Sequence, residues 1–442
     1  MEQKQIHPVD EKLPLGKNLI LAFQHLFIAI LAGIPVPLVI GAVVGLTEQE
    51  IAYFISSMIF TAAICTLLAT VGLIKNLSPQ IPTMVGITFG AASVIASTLN
   101  SAATHAEGFR IMAGSMLISG LFCFLVAPLW SKLDKLFPPV VIGTNLLILS
   151  ISLVPNAFGW IMSSSSTGKA DKPAFFLALF VFLLNIVFSK YLKGFLGTLN
   201  VLFCLIIGTL VAIPLGMIDF TAVKEAAWFG VVLPFHYGLP KVGSFSTTLS
   251  FLIVMILGMV EISGTVMGIH SIVGKEMNKK QLTRTLQTIG LGTMFSASFN
   301  SGQPVTYIQN VGLLDLTRVH SRFVTATAGV MMLGLSFFPK FAAFVSVIPQ
   351  PVLGGIGIPL FGVILASGVN LLKNVKLDEN NNMLVFGLSV AVAMIPASFP
   401  EFYGNFPQIV QDVFGNGLLA GSVTAISLNL FFNFKQIIGR EK

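Results

Sequence analysis

One acidic side chain stands deep within an apolar run. Glu261 follows the start of that run near Thr247, with Gly258 three residues before it and Thr265 four residues after it on the same helical face. A carboxyl group in hydrocarbon is costly unless it has a partner, a ligand or a proton. A permanently paired structural carboxyl is the alternative, but neither Lys nor Arg stands near the middle of the run. We therefore interpret Glu261 as a functional group.

A second polar feature is a pair of adjacent amides. Gln309 and Asn310 open a short apolar run that continues through Gly312 and closes at Thr317-Arg318. Unpaired amides are expensive in hydrocarbon. The pair is therefore predicted to hold something polar.

Gln24 and His25 are the third candidate pair. They lie in an apolar run that reaches Ala32 and is then interrupted by Pro35 and Pro37, which should bend or end a helix. His25 could titrate near neutral pH, but a lone His on an apolar helix is more often a hydrogen-bonded core residue. Both interpretations stay open.

The composition indicates that these residues lie in membrane spans. The 442-residue chain is 55% hydrophobic and 10% charged, whereas soluble domains carry about 25% charged residues. At roughly 20 residues per crossing, the apolar runs predict fourteen spans in an all-α polytopic membrane protein. The spans are predicted to begin near Asn18, Ile51, Pro82, Gly108, Pro138, Pro173, Phe195, Thr247, Thr285, Pro304, Ser321, Pro351, Asn382 and Val413.

Seven spans lie on each side of a polar, Gly- and Pro-rich connection. Because seven is odd, two copies of one unit would insert in opposite orientations, as in the 7+7 inverted repeats of secondary transporters. The predicted divisions are an N-terminal tail (1–17), a first repeat (18–216), the connection (217–246), a second repeat (247–434) and a C-terminal tail (435–442).

The basic residues favour the same topology, because Lys and Arg concentrate in cytoplasmic loops. With both termini cytoplasmic in a cell membrane, the inner side would hold Lys4, Lys12, Lys17, Lys75, Lys132, Lys135, Lys190, Lys193, Lys275, Lys279, Lys280, Arg284, Arg318, Arg322, Lys373, Lys376, Lys435, Arg440 and Lys442. The outer side would hold Arg110, Lys169, Lys172, Lys224, Lys241 and Lys340. Anionic lipid headgroups explain the net charge of +7 without a nucleic-acid partner.

Two spans are anomalous and occupy matching places in the halves. Setting Pro82 of the third span on Pro304 of the tenth also sets Gly90 on Gly312. Both are short and rich in Pro, Gly, Thr and β-branched residues, which favours a strand leading into a half-helix. Such elements persist at membrane depth where they line a cavity or are buried in protein. They predict a binding site, although irregular helices packed through small residues are an alternative.

The sequence gives little support for disulfides, a metal site, an enzyme or a channel. Cys65, Cys123 and Cys204 are isolated within apolar runs and indicate neither disulfides nor metal ligands. Neither His-Glu-x-x-His nor Gly-x-Ser-x-Gly occurs. A channel is disfavoured because polar residues do not recur as rings along the spans. We expect neither enzyme activity, nor a cofactor, nor a metal.

The stretch from Gln309 to Arg318 resembles the signature of the nucleobase-ascorbate transporters, the nucleobase:cation symporter-2 family. The resemblance covers the chain from Gln24-His25 to the last span. It implies a substrate-carrying core lobe (about 18–130 and 247–343) and a gate lobe (about 138–216 and 351–434) that also forms a homodimer. It further implies elevator-like alternating access.

The resemblance also assigns roles at the site. Glu261 would accept ring N–H groups of a nucleobase, Gln309 would pair with its amide edge, and backbone at Ala32 and Phe89 would meet its carbonyls. Tyr307, Thr88 and Thr265 would line the pocket. Asn310 would hold the site together, with Gln24, His25 and Gly312 as further supporting residues.

Substrate and coupling ion follow from details of the resemblance. Gln at position 309 and the pair Thr88-Phe89 resemble carriers of xanthine and uric acid, with uracil as an alternative; a small anion or ascorbate is the alternative from another class. Ile289 and Thr265 stand where some relatives carry an acidic residue and His. Proton coupling would then rest on Glu261, with His25 as a second candidate, and Na⁺ is less favoured. The roles of Asp315 and Arg318 stay open.

Overall fold

The computed structural model of the chain describes residues 7–74, 76–133, 138–162, 171–274, 278–373 and 375–437. Within them the protein is mostly helical, which confirms the predicted all-α membrane class. Several basic residues used for the topology lie outside the described part of the chain, namely Lys4, Lys75, Lys135, Lys169, Lys275, Arg440 and Lys442.

The first half contains ten helices and one strand in the described residues. They are α1 (Leu15–Gly33), α2 (Pro35–Val44), α3 (Glu48–Thr70), β1 (Val85–Ile87), α4 (Ala92–Ser101), α5 (His105–Leu133), α6 (Pro139–Met162), α7 (Lys172–Tyr191), α8 (Gly194–Thr198), α9 (Asn200–Ala212) and α10 (Thr221–Glu225). Single 3-10 turns occupy Pro8–Asp10 and Phe89–Ala91.

The second half likewise contains helices and one short strand in the described residues. Its elements are α11 (Phe245–Val273), α12 (Lys279–Ser298), β2 (Pro304–Thr306), α13 (Ile308–Thr317), α14 (Arg322–Ser336), α15 (Pro339–Ser346), α16 (Gln350–Leu372), α17 (Asn382–Ser398), α18 (Gln408–Phe414) and α19 (Gly417–Ile437).

Length and apolarity identify eight helical segments in the described residues that could cross a membrane, with α1 and α2 counted as one. A ninth forms if α14 and α15, which meet at an angle of 83°, belong to one broken span. The shorter apolar helices α9 and α17 fall below this length. The chain is therefore a multi-pass membrane protein, while these lengths do not establish the predicted count of fourteen.

Local sequence explains where several helices begin and end. Pro35 stands at the first position of α2, where its missing N–H costs nothing, and α1 ends two residues earlier at Gly33. The predicted break near Pro35 is therefore confirmed. Thr47 and Glu50 form a reciprocal capping box at the start of α3, which satisfies two backbone N–H groups that the helix leaves unpaired.

The third and tenth spans have the predicted form of a strand followed by a short helix. β1 and β2 pair antiparallel, with Gly86 opposite Val305 at the centre of the register. The helices that follow, α4 and α13, have ten residues each. At about 1.5 Å per residue, each covers only about half of a hydrocarbon core of about 30 Å. The prediction of two half-helices is confirmed.

The strand pair has local two-fold symmetry beyond its ladder. Thr88 N donates to Gln303 O at 3.0 Å, and Tyr307 N donates to Met84 O at 3.0 Å. This symmetry relates Thr88 to Tyr307. It also relates Val85, not Pro82, to Pro304, so the register proposed from the two prolines is wrong by three residues. Gly90 lies within a 3-10 turn between β1 and α4 that has no counterpart between β2 and α13, whereas Gly312 lies inside α13, so the two glycines are not equivalent.

Two helix pairs approach so closely that only glycine fits between their backbones. In the pair α5 and α12, a Cβ on Gly120 would lie 2.8 Å from Gly290 O, and one on Gly290 would lie 2.8 Å from Gly120 O. In the pair α6 and α16, Gly143 and Gly368 approach in the same reciprocal manner. Such small-residue contacts stabilise membrane helices through close packing.

Part of the predicted N-terminal tail packs on the helices. Val9 is buried, and the Asp10 carboxylate pairs with Arg322 Nε at 2.6 Å. Arg322 also donates to Thr70 O at 2.6 Å, at the end of α3. Because a cation favours a helix C-terminus, Arg322 holds both this segment and α3 in place.

We predict that Gly290→Ala lowers the thermal unfolding midpoint of the purified protein in detergent. The added methyl would meet the backbone of Gly120 and Phe124, which side-chain rotation cannot relieve. Overpacking of this kind costs about 1–3 kcal/mol. Gly334→Ala is the matched control, because a Cβ there has open space and Ala favours a helix. Equal midpoints for the two variants would contradict the prediction.

Candidate functional site

Glu261 lies beside the end of the first strand. The Thr88 hydroxyl donates to Glu261 Oε2 at 3.4 Å, and the carboxyl group is half-buried on α11. Among the described residues Glu261 has no basic partner. The alternative of a permanent ion pair therefore finds no support in this part of the chain.

Thr265 connects α11 to the second strand. Its hydroxyl donates to Glu261 O at 3.0 Å and lies 3.5 Å from Thr306 O, and the residue is fully buried. These contacts give Thr265 a positioning role, since its only hydroxyl proton is used by backbone oxygens. Its predicted contact with substrate stays a prediction.

Tyr307 crosses the strand pair. Its hydroxyl donates to Ile87 O at 3.2 Å, and its ring lies where a Cβ on Gly86 would be, about 2.2 Å from the ring carbon Cζ. Gly33, at the end of α1, also approaches the Tyr307 hydroxyl. Tyr307 therefore joins α1, β1 and β2, and this packing explains the two glycines.

His25 and Asn310 form a second polar cluster, between α1 and α13. His25 Nδ1 and Asn310 Oδ1 are hydrogen-bonded, and both side chains are almost completely buried. Asn310 Nδ2 and Gln24 Oε1 are buried without a hydrogen-bond partner among the described residues. The bond satisfies one nitrogen of the imidazole and fixes α1 against α13, so His25 has the character of a bonded core residue.

Gln309 differs from its neighbour. It stands on the first turn of α13, its side chain is exposed, and it forms no hydrogen bond within the described residues. Ala32 and Phe89 are half-buried, and Gly312 has open space around its Cα. Gln309, Ala32 and Phe89 therefore keep accessible surface, whereas Asn310 does not.

The helix starts add backbone electrostatics to the site. Thr88 caps the 3-10 turn that leads into α4 by accepting from Gly90 N at 3.1 Å, and its symmetry mate Tyr307 precedes α13. The N–H groups of a helix's first turn have no intrahelical partners and carry partial positive charge. Two such helix starts flank the strand pair, which suits a polar ligand with acceptor atoms.

Three residues near the site were not predicted from the sequence, namely Gln303, Gly86 and Phe361. Gln303 is fully buried, its Nε2 lies 3.4 Å from Val254 O, and its Oε1 has no partner in the described residues. Its position next to Pro304, in an anomalous span, could have indicated from the sequence that Gln303 lies near the site. Phe361 of α16 packs edge-to-face on Phe89, with ring centroids 6.2 Å apart. Nothing in the sequence indicated that contact.

Two cavities lie among the described residues outside the group around Glu261. One, of about 280 Å³, is lined by Gln49, Tyr53, Glu225, Val232 and Ser336 under the connection between the halves. The other is an apolar slot bounded by Pro35, Trp160, Leu205 and Phe361. Phe361 lines this slot and also packs on Phe89, so the slot adjoins the 3-10 turn that follows β1.

Comparison with known proteins identifies the family. A model of a permease family, the xanthine and uric acid permeases within the nucleobase-ascorbate transporters, matches residues 16–402. The chain belongs to this family. Because the family consists of permeases, the expectation that the chain is not an enzyme is confirmed.

The similarity to known transporters covers almost the whole length of this permease. It is 31% identical to the uric acid transporter UacT of Escherichia coli (strain K12), covering 96% of this chain and 88% of that protein. It is 33% identical to the nucleobase transporter PlUacP of Paenibacillus larvae, covering 97% of this chain and 96% of the other.

Solved structures show the same fold at low sequence identity. The transmembrane domain of a cyanobacterial bicarbonate transporter, BicA, superposes with a TM-score of 0.65 over 96% of this chain and 100% of that domain. The two are 17% identical. At this identity the likeness concerns the fold alone.

We predict that Asn310→Ala lowers the thermal unfolding midpoint of the permease, whereas Gln309→Ala leaves it unchanged. Asn310 supplies a buried hydrogen bond to His25, and an unpaired buried polar group costs about 1–3 kcal/mol. Gln309 is exposed and makes no such bond in the described residues. Thermal unfolding in one detergent compares this neighbouring pair directly, and a larger loss in Gln309→Ala would contradict the assignment.

Proposed function

We propose that this permease is a secondary active transporter that takes up an oxidised purine base, xanthine or uric acid, together with a proton. The observation that carries the proposal is a lone carboxyl group, Glu261, beside two half-helix starts at the crossing of two short strands. Family membership and relatives named for uric acid and xanthine support the substrate class.

The proposed recognition uses complementary hydrogen bonds. Glu261 accepts from ring N–H groups, while the Gln309 amide offers one donor and one acceptor to an imide edge. A carboxylate facing an N–H forms a strong, charge-assisted bond where water is scarce. Bases that lack these groups would leave the polar site unpaired, which disfavours them steeply.

The proposed coupling rests on Glu261. Ile289, at the position where many relatives carry an acidic residue, is fully buried in α12, and Thr265 has no titratable proton near neutral pH. His25 is hydrogen-bonded to Asn310 rather than to Glu261, which makes it the weaker second candidate. Protonation neutralises Glu261 and lowers the cost of moving the site through a low-dielectric region.

The proposed architecture is a 7+7 inverted repeat of fourteen elements. The symmetric bonds at Thr88 and Tyr307 and the two strand and half-helix elements support it. We further propose that the core lobe (18–130 and 247–343) moves as an elevator against the gate lobe (138–216 and 351–434). The Phe89–Phe361 contact would then join the two lobes at the site.

Orientation and assembly complete the proposal. The excess of basic residues on one side supports cytoplasmic termini in a cell membrane. We also propose a homodimer formed through the gate lobe, whose helices α7 and α17 carry exposed apolar faces. Neither a cofactor nor a resident metal takes part; the co-transported ion is H⁺ in preference to Na⁺.

Uracil is the second candidate substrate. A uracil permease of Paenibacillus larvae is 30% identical to this chain over 96% of its length. An imide edge is common to uracil, xanthine and uric acid, so the proposed hydrogen bonds alone do not separate them. The room beside the bound base would have to distinguish these three substrates.

We predict that Glu261→Gln abolishes proton-driven accumulation of base. The experiment measures uptake of radiolabelled xanthine, uric acid and uracil into cells that lack their own base carriers, with and without a protonophore. Saturable uptake of one base should collapse with the protonophore and in the variant, because the amide cannot exchange a proton. Glu401→Gln, an exposed carboxyl group in the loop after α17, is the control and should transport normally. Full protonophore-sensitive accumulation by Glu261→Gln would contradict the assignment of proton coupling to Glu261.

A substitution at the exposed amide tests substrate choice. We predict that Gln309→Glu raises uracil uptake relative to xanthine and uric acid, because Glu at this position is typical of the family's uracil carriers. Gln408→Glu makes the same change of charge at the first residue of α18 and should leave the ratio unchanged. Competition between labelled and unlabelled bases measures the ratio, and an unaltered ratio in Gln309→Glu would remove Gln309 from base recognition.

A further inference from the structure

The connection between the two halves carries an unexpected apolar surface. Residues 226–244, here named the strap, follow α10 and lead into α11. Its exposed large apolar side chains are Trp228, Phe229, Val231, Leu233, Phe235, Leu239 and Val242. Trp228 is 73% exposed and Leu239 is 67% exposed. A surface of this kind indicates a partner rather than a free loop in water.

Hydrogen bonds fix the depth of the strap relative to the spans. Gly230 N donates to Phe337 O just beyond α14, and Phe235 N donates to Ser298 O at the end of α12. The strap is also bonded to the opening turns of α5, since Lys241 N donates to Arg110 O at 2.9 Å. Of these helices, α5 is long and apolar enough to cross a membrane, and α12 packs closely against it through Gly120 and Gly290. The strap is therefore held at the end of the bundle where α5 begins and α12 ends.

The strap's packing turns one set of side chains inward and another outward. Val232 is only 6% exposed, whereas Val231 and Leu233 on either side of it are mainly exposed. The Tyr53 hydroxyl donates to Leu233 O at 2.9 Å, which satisfies the backbone at that point. Because its backbone is bonded to the bundle, the strap can present apolar side chains without exposing many unpaired polar groups.

The side-chain chemistry matches the boundary between hydrocarbon and water. Trp is enriched at membrane interfaces, where an apolar ring and a polar edge are both accommodated. The Lys340 ammonium lies 4.7 Å from the centroid of the Trp228 ring, which places a cation at the same level. By contrast, the connection from Lys376 to Asn381 is strongly polar, as expected in water. The apolar character is therefore not general to the connections, although the one between α17 and α18 shares it through Phe399, Phe402 and Phe406.

We propose that the strap is a membrane-interface anchor whose exposed face inserts among lipid headgroups and the first acyl carbons. The occupant is the bilayer, because this face is continuous with Phe245, the first residue of the spanning helix α11, which is 75% exposed. A soluble protein partner would leave that continuity unexplained. The anchor stands independently of which base is carried.

Tryptophan fluorescence tests the anchor directly. The chain has three tryptophans, so Trp130→Phe combined with Trp160→Phe leaves Trp228 as the only one. The full-length variant is reconstituted into phosphatidylcholine vesicles that contain lipids brominated near the headgroup end of the acyl chains. In a parallel sample iodide is present both inside and outside the vesicles, because the strap and the connection 376–381 are predicted to lie on opposite sides of the membrane. We expect the brominated lipid to remove most of the Trp228 emission and iodide to remove little.

The opposite pattern overturns the proposal, because strong iodide quenching with unaffected emission in brominated lipid places Trp228 in water. Asp378→Trp in a background with all three tryptophans replaced by Phe provides the aqueous reference, from the polar connection 376–381. If the double variant does not fold, the difference in emission between the native protein and Trp228→Phe gives the same two outcomes.

Discussion

The structure at the centre of this protein depends on one constraint: backbone N–H and C=O groups that lie away from water need hydrogen-bond partners. A polar ligand site in a membrane requires free donors at mid-depth, yet each unpaired backbone N–H in hydrocarbon costs several kcal/mol. The crossing of β1 and β2 meets both requirements. The strands pair with each other through Gly86 and Val305. The helices that follow begin beside the strand crossing, so the N–H groups of their first turns lie there without intrahelical partners, as the proposed site requires.

The other features of the site follow from that crossing. Tyr307 and Thr88 occupy equivalent places on the two strands, but one braces α1 and β1 while the other reaches Glu261. The side chains thus break the two-fold symmetry of the strand backbones, as the proposed binding of an asymmetric base requires. His25 and Asn310 secure α1 against α13 behind it. Glycines at positions 33 and 86 provide the space that Tyr307 needs.

The close helix pairs indicate which parts of the bundle act as units. α5 packs on α12 through Gly120 and Gly290, and α6 packs on α16 through Gly143 and Gly368. Each pair joins a helix from the first half to one from the second, as expected if the repeats interlock. The contact between Phe89, in the turn after β1, and Phe361 of α16 involves side chains, which could separate more easily than these close backbones. This division fits the proposed movement of one lobe against the other.

The sequence by itself determined the membrane class, the break at Pro35 and the two strand and half-helix elements, because hydropathy and Pro or Gly act locally along the chain. It also marked Glu261 and the amide pair, since polar groups in apolar runs are costly wherever they pack. Only the tertiary structure decided that Asn310 is buried against His25 while Gln309 is exposed, and that Val85 rather than Pro82 matches Pro304. Those facts depend on which helix face meets α1 and on strand register, and both are set by contacts between residues more than two hundred positions apart.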